Sequence, residues 1–405
     1  MLGLALEGGG ARGAFHIGAV SAFLEHGYEF NSVVGTSIGA FNAALISQGD
    51  FENAYDLWSN MEPSDLFNIE DEYMINVSNK EITKDTIKYL SRKAKELIDN
   101  KGINTTKLMK VLDENIDENR LRNSNIDFGM VTVSIPEFKA LEVYKDDIPK
   151  GMINEYIMAS ASFPGFKLHP IDGKYYIDGG IHDNCPVNLL IKKGYKDIIA
   201  IRTSEKDKLQ RLESKDANII NIIPSEDLGR ILIFNNELIR KNIKLGYYDS
   251  KKYIQGLVGK KYYIKPFEEE YFINIIKNIP EDTILQIAKA LKIPYVDSKR
   301  LLFEKIIPTI AHQLKLPKDA SYQEIFVNLL EIIAIERGVK KYNIYTLNTF
   351  IEEIEKTHPL KDKESRKLIN LSNLKRISTG LLGTDSLNEV ANVILDTLST
   401  DRFYK

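Results

Sequence analysis

The sequence predicts an α/β fold. A mostly parallel sheet carries helices on both faces, giving three layers α/β/α, and an all-helical C-terminal domain follows. Three observations carry this reading. Short apolar strand segments alternate with helical periodicity and tight glycine links through the first 50 residues. Strand-like runs then recur as far as about residue 225. Beyond about residue 268 only helical periodicity remains, punctuated by Pro280, Pro294, Pro308, Pro317 and Pro359. The predicted domains are therefore 1–268 and 269–405, and 405 residues is long for a single core.

The elements follow in order. LGLAL reads as a buried strand bounded by glycines, and GAFHIGAVSAFLEHG as a helix closed by Gly27. FNSVVG is a second buried strand and SIGAFNAALISQG a second helix, closed by Gly49. Residues 50–125 are largely charged and helical, KEITKDTIKYLSRKAKELIDN above all, and read as an inserted or covering segment. DFGMVTVSI and ALEVYK have strand composition; INEYIMASASFPGF is a helix ending before Pro164. KYYIDGGIHDNCPV runs from a strand into a glycine turn, and DIIAIRTS and NIINIIPS are further strands separated by a charged loop. RILIFNNELIRKNIKLGYYDSKKYI reads as one helix. In the C-terminal part, Ser321 with Glu324 and Thr349 with Glu352 match the capping-box pattern of a helix start.

Composition narrows the function. Hydrophobic residues make up 43%, enough for packed cores. The single cysteine, Cys185, excludes a disulfide framework and a cysteine-based zinc site, and favours a reducing compartment. No cationic leader with an apolar core precedes the first strand and no long charge-free apolar window occurs. Neither a secretory signal nor a transmembrane helix is expected, and the expected location is cytoplasmic. Net charge is −3, with an acidic front half and a basic back half. The basic half admits peripheral contact with a membrane surface; its plain alternative is a solvated Lys-rich helical surface. No nucleic-acid partner is expected.

Two glycine motifs carry the chemistry. Gly8-x-Gly10-x-x-Gly13 fits the dinucleotide pattern, but that reading needs an acidic residue at the end of the next strand, where Gly-Thr-Ser stands. The same loop, EGGGARG, can instead offer backbone N–H groups to an oxyanion. Arg12 is the only Lys or Arg in residues 1–79, so it either meets an anion or orders the loop, for example by pairing with Glu7. Gly35-Thr36-Ser37-Ile38-Gly39 lies between a strand and a helix, the context of a nucleophile elbow. Ser37 would there face the positive end of a helix dipole.

Ser37 needs a base. Of His16, His26, His169, His182, His312 and His358, His182 and His312 fit the hydrolase order Ser, acid, His, but no local context marks either, and a lone histidine reads as a surface or satisfied structural residue. Asp178, in Tyr176-Ile177-Asp178-Gly179-Gly180, closes a strand at the crevice of a parallel sheet. It can take the proton directly within about 3 Å of the hydroxyl. Taken alone, an Asp-Gly-Gly reads as a turn.

GGGARG, GTSIG and DGG stand in this order, with ASASFPGF before the last and DGGIHDNCPV around it. Together they resemble the patatin-like phospholipases over about residues 1–200, with weaker likeness to about 267. The resemblance implies a patatin-like fold and a Ser37–Asp178 dyad without histidine. Gly9 and Gly10 would form the oxyanion hole, with Gly8 and Arg12 shaping it. Gly35 and Gly39 would frame the elbow, and Gly179 and Gly180 the Asp motif. It implies an acyl-enzyme mechanism on lipid acyl esters, with no metal or cofactor. A lipid-binding or partner-regulated effector with latent hydrolase activity is the alternative, and a nucleotide-binding protein the weakest.

Three other features have two readings each. GYYDSKKYIQGLVGKKYYIKPF is either a lipid-interface segment or part of the packed core. Trp58, Tyr55 and Phe67 either line an acyl channel or pack in the core. Cys185 reads as a small packed residue. Residues 269–405 have no readable role.

Overall fold

The structure, a computed structural model, describes residues 1–62, 66, 105–163, 166–168, 170–294, 298–357 and 384–401. The helical run predicted over 80–100, together with Phe67, Pro164, His169, His358 and Pro359, lies outside the described residues. The chain divides into two compact units, Met1–Tyr253 and Ile254–Lys405.

In the first unit the strands are β1 Leu2–Leu6, β2 Ser32–Thr36, β3 Asp127–Ile135, β4 Ala140–Tyr144, β5 Tyr175–Asp178, β6 Asp197–Ile201 and β7 Asn218–Ile222. They form one sheet in the order β4-β3-β2-β1-β6-β7, with β5 also paired to β3. β3, β2, β1, β6 and β7 run parallel; β4 and β5 run antiparallel to β3. The α-helices are α1 Ala14–Glu25, α2 Ile38–Ser47, α3 Phe51–Asn60, α4 Thr106–Asn115, α5 Glu118–Asn123, α6 Ile153–Ser160, α7 Val187–Lys192 and α8 Asn236–Gln255.

Burial on both faces explains why the central strands are continuously apolar rather than alternating. Ala5, Val34, Val131, Ile198 and Ala200 pack with Val187, Leu189 and Leu190 of α7 on one face. Alternate residues of each strand point the other way, and α2 packs there against β1, β2 and β3. The predicted three layers and mostly parallel sheet are thus observed.

Two predicted helix starts are corrected. α8 begins at Asn236, so residues 230–235 are not helical. The helix near Thr349 begins at Leu347: Thr346 is its N-cap and Thr349 supplies the reciprocal bond, so the Thr349–Glu352 pattern is not the cap. The Ser321–Glu324 capping box is present on Tyr322–Arg337.

Among its described residues the second unit is mostly helical, with a short parallel pairing of Tyr263–Ile264 with Ile344–Tyr345 and a single bridge between Val258 and Ile264. Phe272, Ile276, Leu330, Ile333, Phe350 and Val390 share its core. The buried Glu331 carboxylate accepts the amides of Lys260, Lys261 and Tyr262 at 3.0, 2.8 and 2.7 Å. Tyr262 and Tyr263 are buried, which places that part of the aromatic–lysine stretch in the core. Among the described residues no helix is long and apolar enough to cross a membrane.

Candidate active site

Ser37 sits between β2 and α2 with φ 57° and ψ −125°. A non-glycine residue held there costs about 1–3 kcal/mol, so neighbouring contacts must enforce it. The Ser37 N–H donates to Ser160 Oγ at 2.9 Å, and Ser160 Oγ donates onward to the Val131 carbonyl at 2.6 Å. The Ser37 carbonyl accepts the Ala40 and Phe41 amides, which starts α2. The flanking glycines are required by close approach. A Cβ on Gly35 would lie 2.1 Å from the Gly39 carbonyl oxygen, and one on Gly39 2.2 Å from that of Leu6.

Sheet register brings Asp178 to this elbow. β4 pairs with Gly129–Val133 of β3 and so occupies one edge of that strand. β2 and β5 share the other edge, end to end and pointing toward each other. Thr36 is in register with Val131, and Asp178 with the next residue, Thr132. The two carboxyl ends meet, and Ser37 Oγ donates to Asp178 Oδ2 at 2.7 Å. The Asp178 N–H donates to the Ser162 carbonyl at 2.9 Å, and Thr132 Oγ1 to the Ile177 carbonyl at 2.9 Å. The sequence ASAS therefore braces both partners, through Ser160 and Ser162.

The Asp178 carboxyl is buried, and burial pushes its pKa up to about 6; the bonds from Ser37 and from the Gly180 amide, at 2.8 Å, pull it partly back. Gly179 opens the 3-10 turn Gly179–Ile181 that presents the Gly180 amide. Such a carboxylate is ionised at neutral pH yet more basic than one in water, which suits proton abstraction.

The glycine loop follows β1. Glu7 is buried and accepts two bonds from Arg202, at 3.0 and 2.7 Å, and the amides of Thr203 and Ser204. Arg12 therefore does not pair with Glu7. Its Nε donates to the Gly229 carbonyl at 2.8 Å, and among the described residues no carboxylate forms an ion pair with it. The Gly8 amide donates to the Asn184 carbonyl and the Ala11 amide to the Ile231 carbonyl, at 2.9 and 2.7 Å. Among the described residues the Gly9 and Gly10 amides have no such acceptor, so they are the two N–H groups of this loop free to meet an oxyanion.

Among the described residues no histidine shares a hydrogen bond with Ser37 or Asp178. His16 is fully buried beside Asn42, and burial pushes its pKa down to about 3. His182 Nε2 lies 3.8 Å from Glu142 Oε1. Trp58 is buried and donates to Asn42 Oδ1 at 2.8 Å, a core contact. Cys185 is buried, and burial pushes its thiol pKa well up. Among the described residues no three His, Cys, Asp or Glu side chains are grouped to hold a metal ion.

Sequence reasoning gave no roles to Ser160, Ser162 and Asn184. Their signal was present in ASAS and in DGGIHDNCPV, but only the fold shows what they touch.

A family model described as patatin-like phospholipase matches residues 4–191. The patatin-like phospholipase domain-containing protein 7 of Rattus norvegicus is 26% identical over 225 residues, covering 53% of this chain and 14% of that protein. Lysophospholipase NTE1 of Candida albicans is 28% identical over 213 residues, covering 51% of this chain and 13% of that protein. The chain thus spans only a small part of the length of these curated relatives. Among solved structures, VipD from Legionella pneumophila aligns over 98% of this chain and 90% of its own, with 15% identity and a TM-score of 0.39. The elbow, the Asp-Gly-Gly turn and the glycine loop come together at one end of the sheet, and all three lie within residues 4–191, the segment that is similar to the patatin-like phospholipases.

Proposed function

We propose that this protein is a lipid acyl hydrolase acting through a Ser37–Asp178 dyad. The observation that carries the reading is the 2.7 Å hydrogen bond from Ser37 Oγ to Asp178 Oδ2, made at a strained strand-to-helix turn. Asp178 takes the hydroxyl proton as Ser37 Oγ attacks the ester carbonyl carbon. The carbonyl oxygen becomes an oxyanion held by the Gly9 and Gly10 amides, near the positive end of α2. Collapse breaks the ester bond, and the alcohol leaves with the proton from Asp178. Water then attacks the acyl-Ser37 ester, Asp178 accepts its proton and returns it to Ser37, and the fatty acid is released.

The similarity to patatin-like phospholipases and to a lysophospholipase supports phospholipids and lysophospholipids as the proposed substrate class, met at a membrane or micelle surface. The test is fatty-acid release from lysophosphatidylcholine and phosphatidylcholine by the wild type, Ser37→Ala and Asp178→Asn. The wild type should hydrolyse at least one of them, and each variant should lose about 10³-fold or more in kcat. Full activity in folded Ser37→Ala would refute the assignment.

A further inference from the structure

The oxyanion loop is held from outside the matched segment 4–191. The Ala11 amide donates to the Ile231 carbonyl at 2.7 Å, and Arg12 Nε to the Gly229 carbonyl at 2.8 Å. Gly10, at φ 54°, lies directly against the same segment: a Cβ there would sit 2.1 Å from the Ile231 carbonyl oxygen. The segment is itself fixed. Gly229 turns at φ 87° and its amide donates to Asp227 Oδ1 at 2.9 Å. The Leu228 carbonyl accepts Asn242 Nδ2 of α8 at 2.9 Å, in a buried contact.

We propose that residues 227–231 are a latch that sets the position of the Gly9 and Gly10 amides, with Arg12 as a positioning residue and Asn242 as the anchor of the latch on α8. The latch rests on the reading of those amides as the oxyanion hole. It differs from direct action of the Arg12 charge on the oxyanion, because the observed bond from Arg12 is to a neutral carbonyl. A latch also explains why residues 230–235 are not helical: the carbonyls of Gly229 and Ile231 are bonded to the loop rather than to a helix.

Arg12→Gln and Arg12→Met separate the two roles. Glutamine places an amide nitrogen at the same position along the side chain as Arg Nε, so it keeps a donor for Gly229 and loses the charge. Methionine keeps the length and loses both. Gly229→Ala disturbs the latch from its other side, since its backbone turns at φ 87° and a Cβ there would lie 2.6 Å from Leu238.

The measurement is steady-state hydrolysis of lysophosphatidylcholine, with circular dichroism confirming that each variant is folded. Arg12→Met and Gly229→Ala should each lower kcat about 100-fold, as a displaced catalytic loop does, with KM within about threefold. Arg12→Gln should recover most of the loss seen in Arg12→Met. Equal losses in the two Arg12 variants, with Gly229→Ala unimpaired, would overturn the latch while leaving the dyad in place. Hydrolysis that survives Ser37→Ala would overturn the active-site reading and the latch with it.

Discussion

Ser37 Oγ lies 2.7 Å from Asp178 Oδ2 because β2 and β5 meet end to end along one edge of β3. Thr36 and Asp178 are aligned with consecutive residues of that strand, Val131 and Thr132. The two groups are 141 residues apart in sequence, and a single shared strand fixes the distance between them.

The first prediction concerns pH. Burial raises the Asp178 pKa to about 6, and a general base must be ionised to act. The kcat/KM profile should therefore have an acid limb with a midpoint near pH 6, falling about tenfold per pH unit below it. A limb near pH 4, the range of an unperturbed carboxylate, would show that Asp178 is not the base.

Stability should run the other way. In the folded state Asp178 holds its proton up to about pH 6, against 3.8 ordinarily. Its contribution is complete below pH 3.8 and is lost as pH rises through 6, because the folded state then binds the extra proton. Asp178→Asn should thus gain stability relative to wild type as pH rises from 4 to 7, by roughly 2 kcal/mol. Thermal or urea unfolding at both pH values measures this; a difference that does not change with pH would contradict it.

Ser160 tests the support of the strained elbow. It is fully buried, accepts the Ser37 amide and donates to Val131. Ser160→Ala leaves the Ser37 N–H without an acceptor, a loss of about 1–3 kcal/mol in stability. It should also lower kcat roughly 10²-fold through misplacement of Ser37, with little change in KM. Ser160→Thr keeps the hydroxyl and should restore part of kcat. Equal kcat in wild type and Ser160→Ala would remove Ser160 from the account.

A further prediction is that histidine is dispensable. His182 is the described histidine nearest in sequence to Asp178, and its ring faces Glu142 rather than Ser37. His182→Ala should keep hydrolysis within about threefold of wild type, whereas loss of a triad histidine costs orders of magnitude. A loss of that size in lipid hydrolysis assays would replace the dyad with a triad.

Much of the site was legible because close backbone contacts restrict residue choice. At Gly35 and Gly39 there is no room for a Cβ, so the elbow leaves a fixed pattern in the sequence. The glycine loop was legible for the same reason, and the failed acid position removed the dinucleotide reading. Asp178 was readable only as a candidate, because its role depends on the pairing of β5 with β3, which local patterns do not encode. The braces from Ser160 and Ser162 were missed on the same ground: serine suits so many environments that it gives little signal. The start of α8 was misplaced because ILIF continues an apolar periodicity, while tertiary bonds to Arg12 and Ala11 take the carbonyls before it. At Thr346 the rule for a helix start was correct but applied three residues late, since a second threonine can fill the position usually given to glutamate.

The most direct measurement is covalent labelling with a fluorophosphonate, followed by mass mapping of the modified peptide. The label should fall on Ser37, be absent in Ser37→Ala and form much more slowly in Asp178→Asn. A folded protein that is labelled at another residue, or at none, would contradict the account.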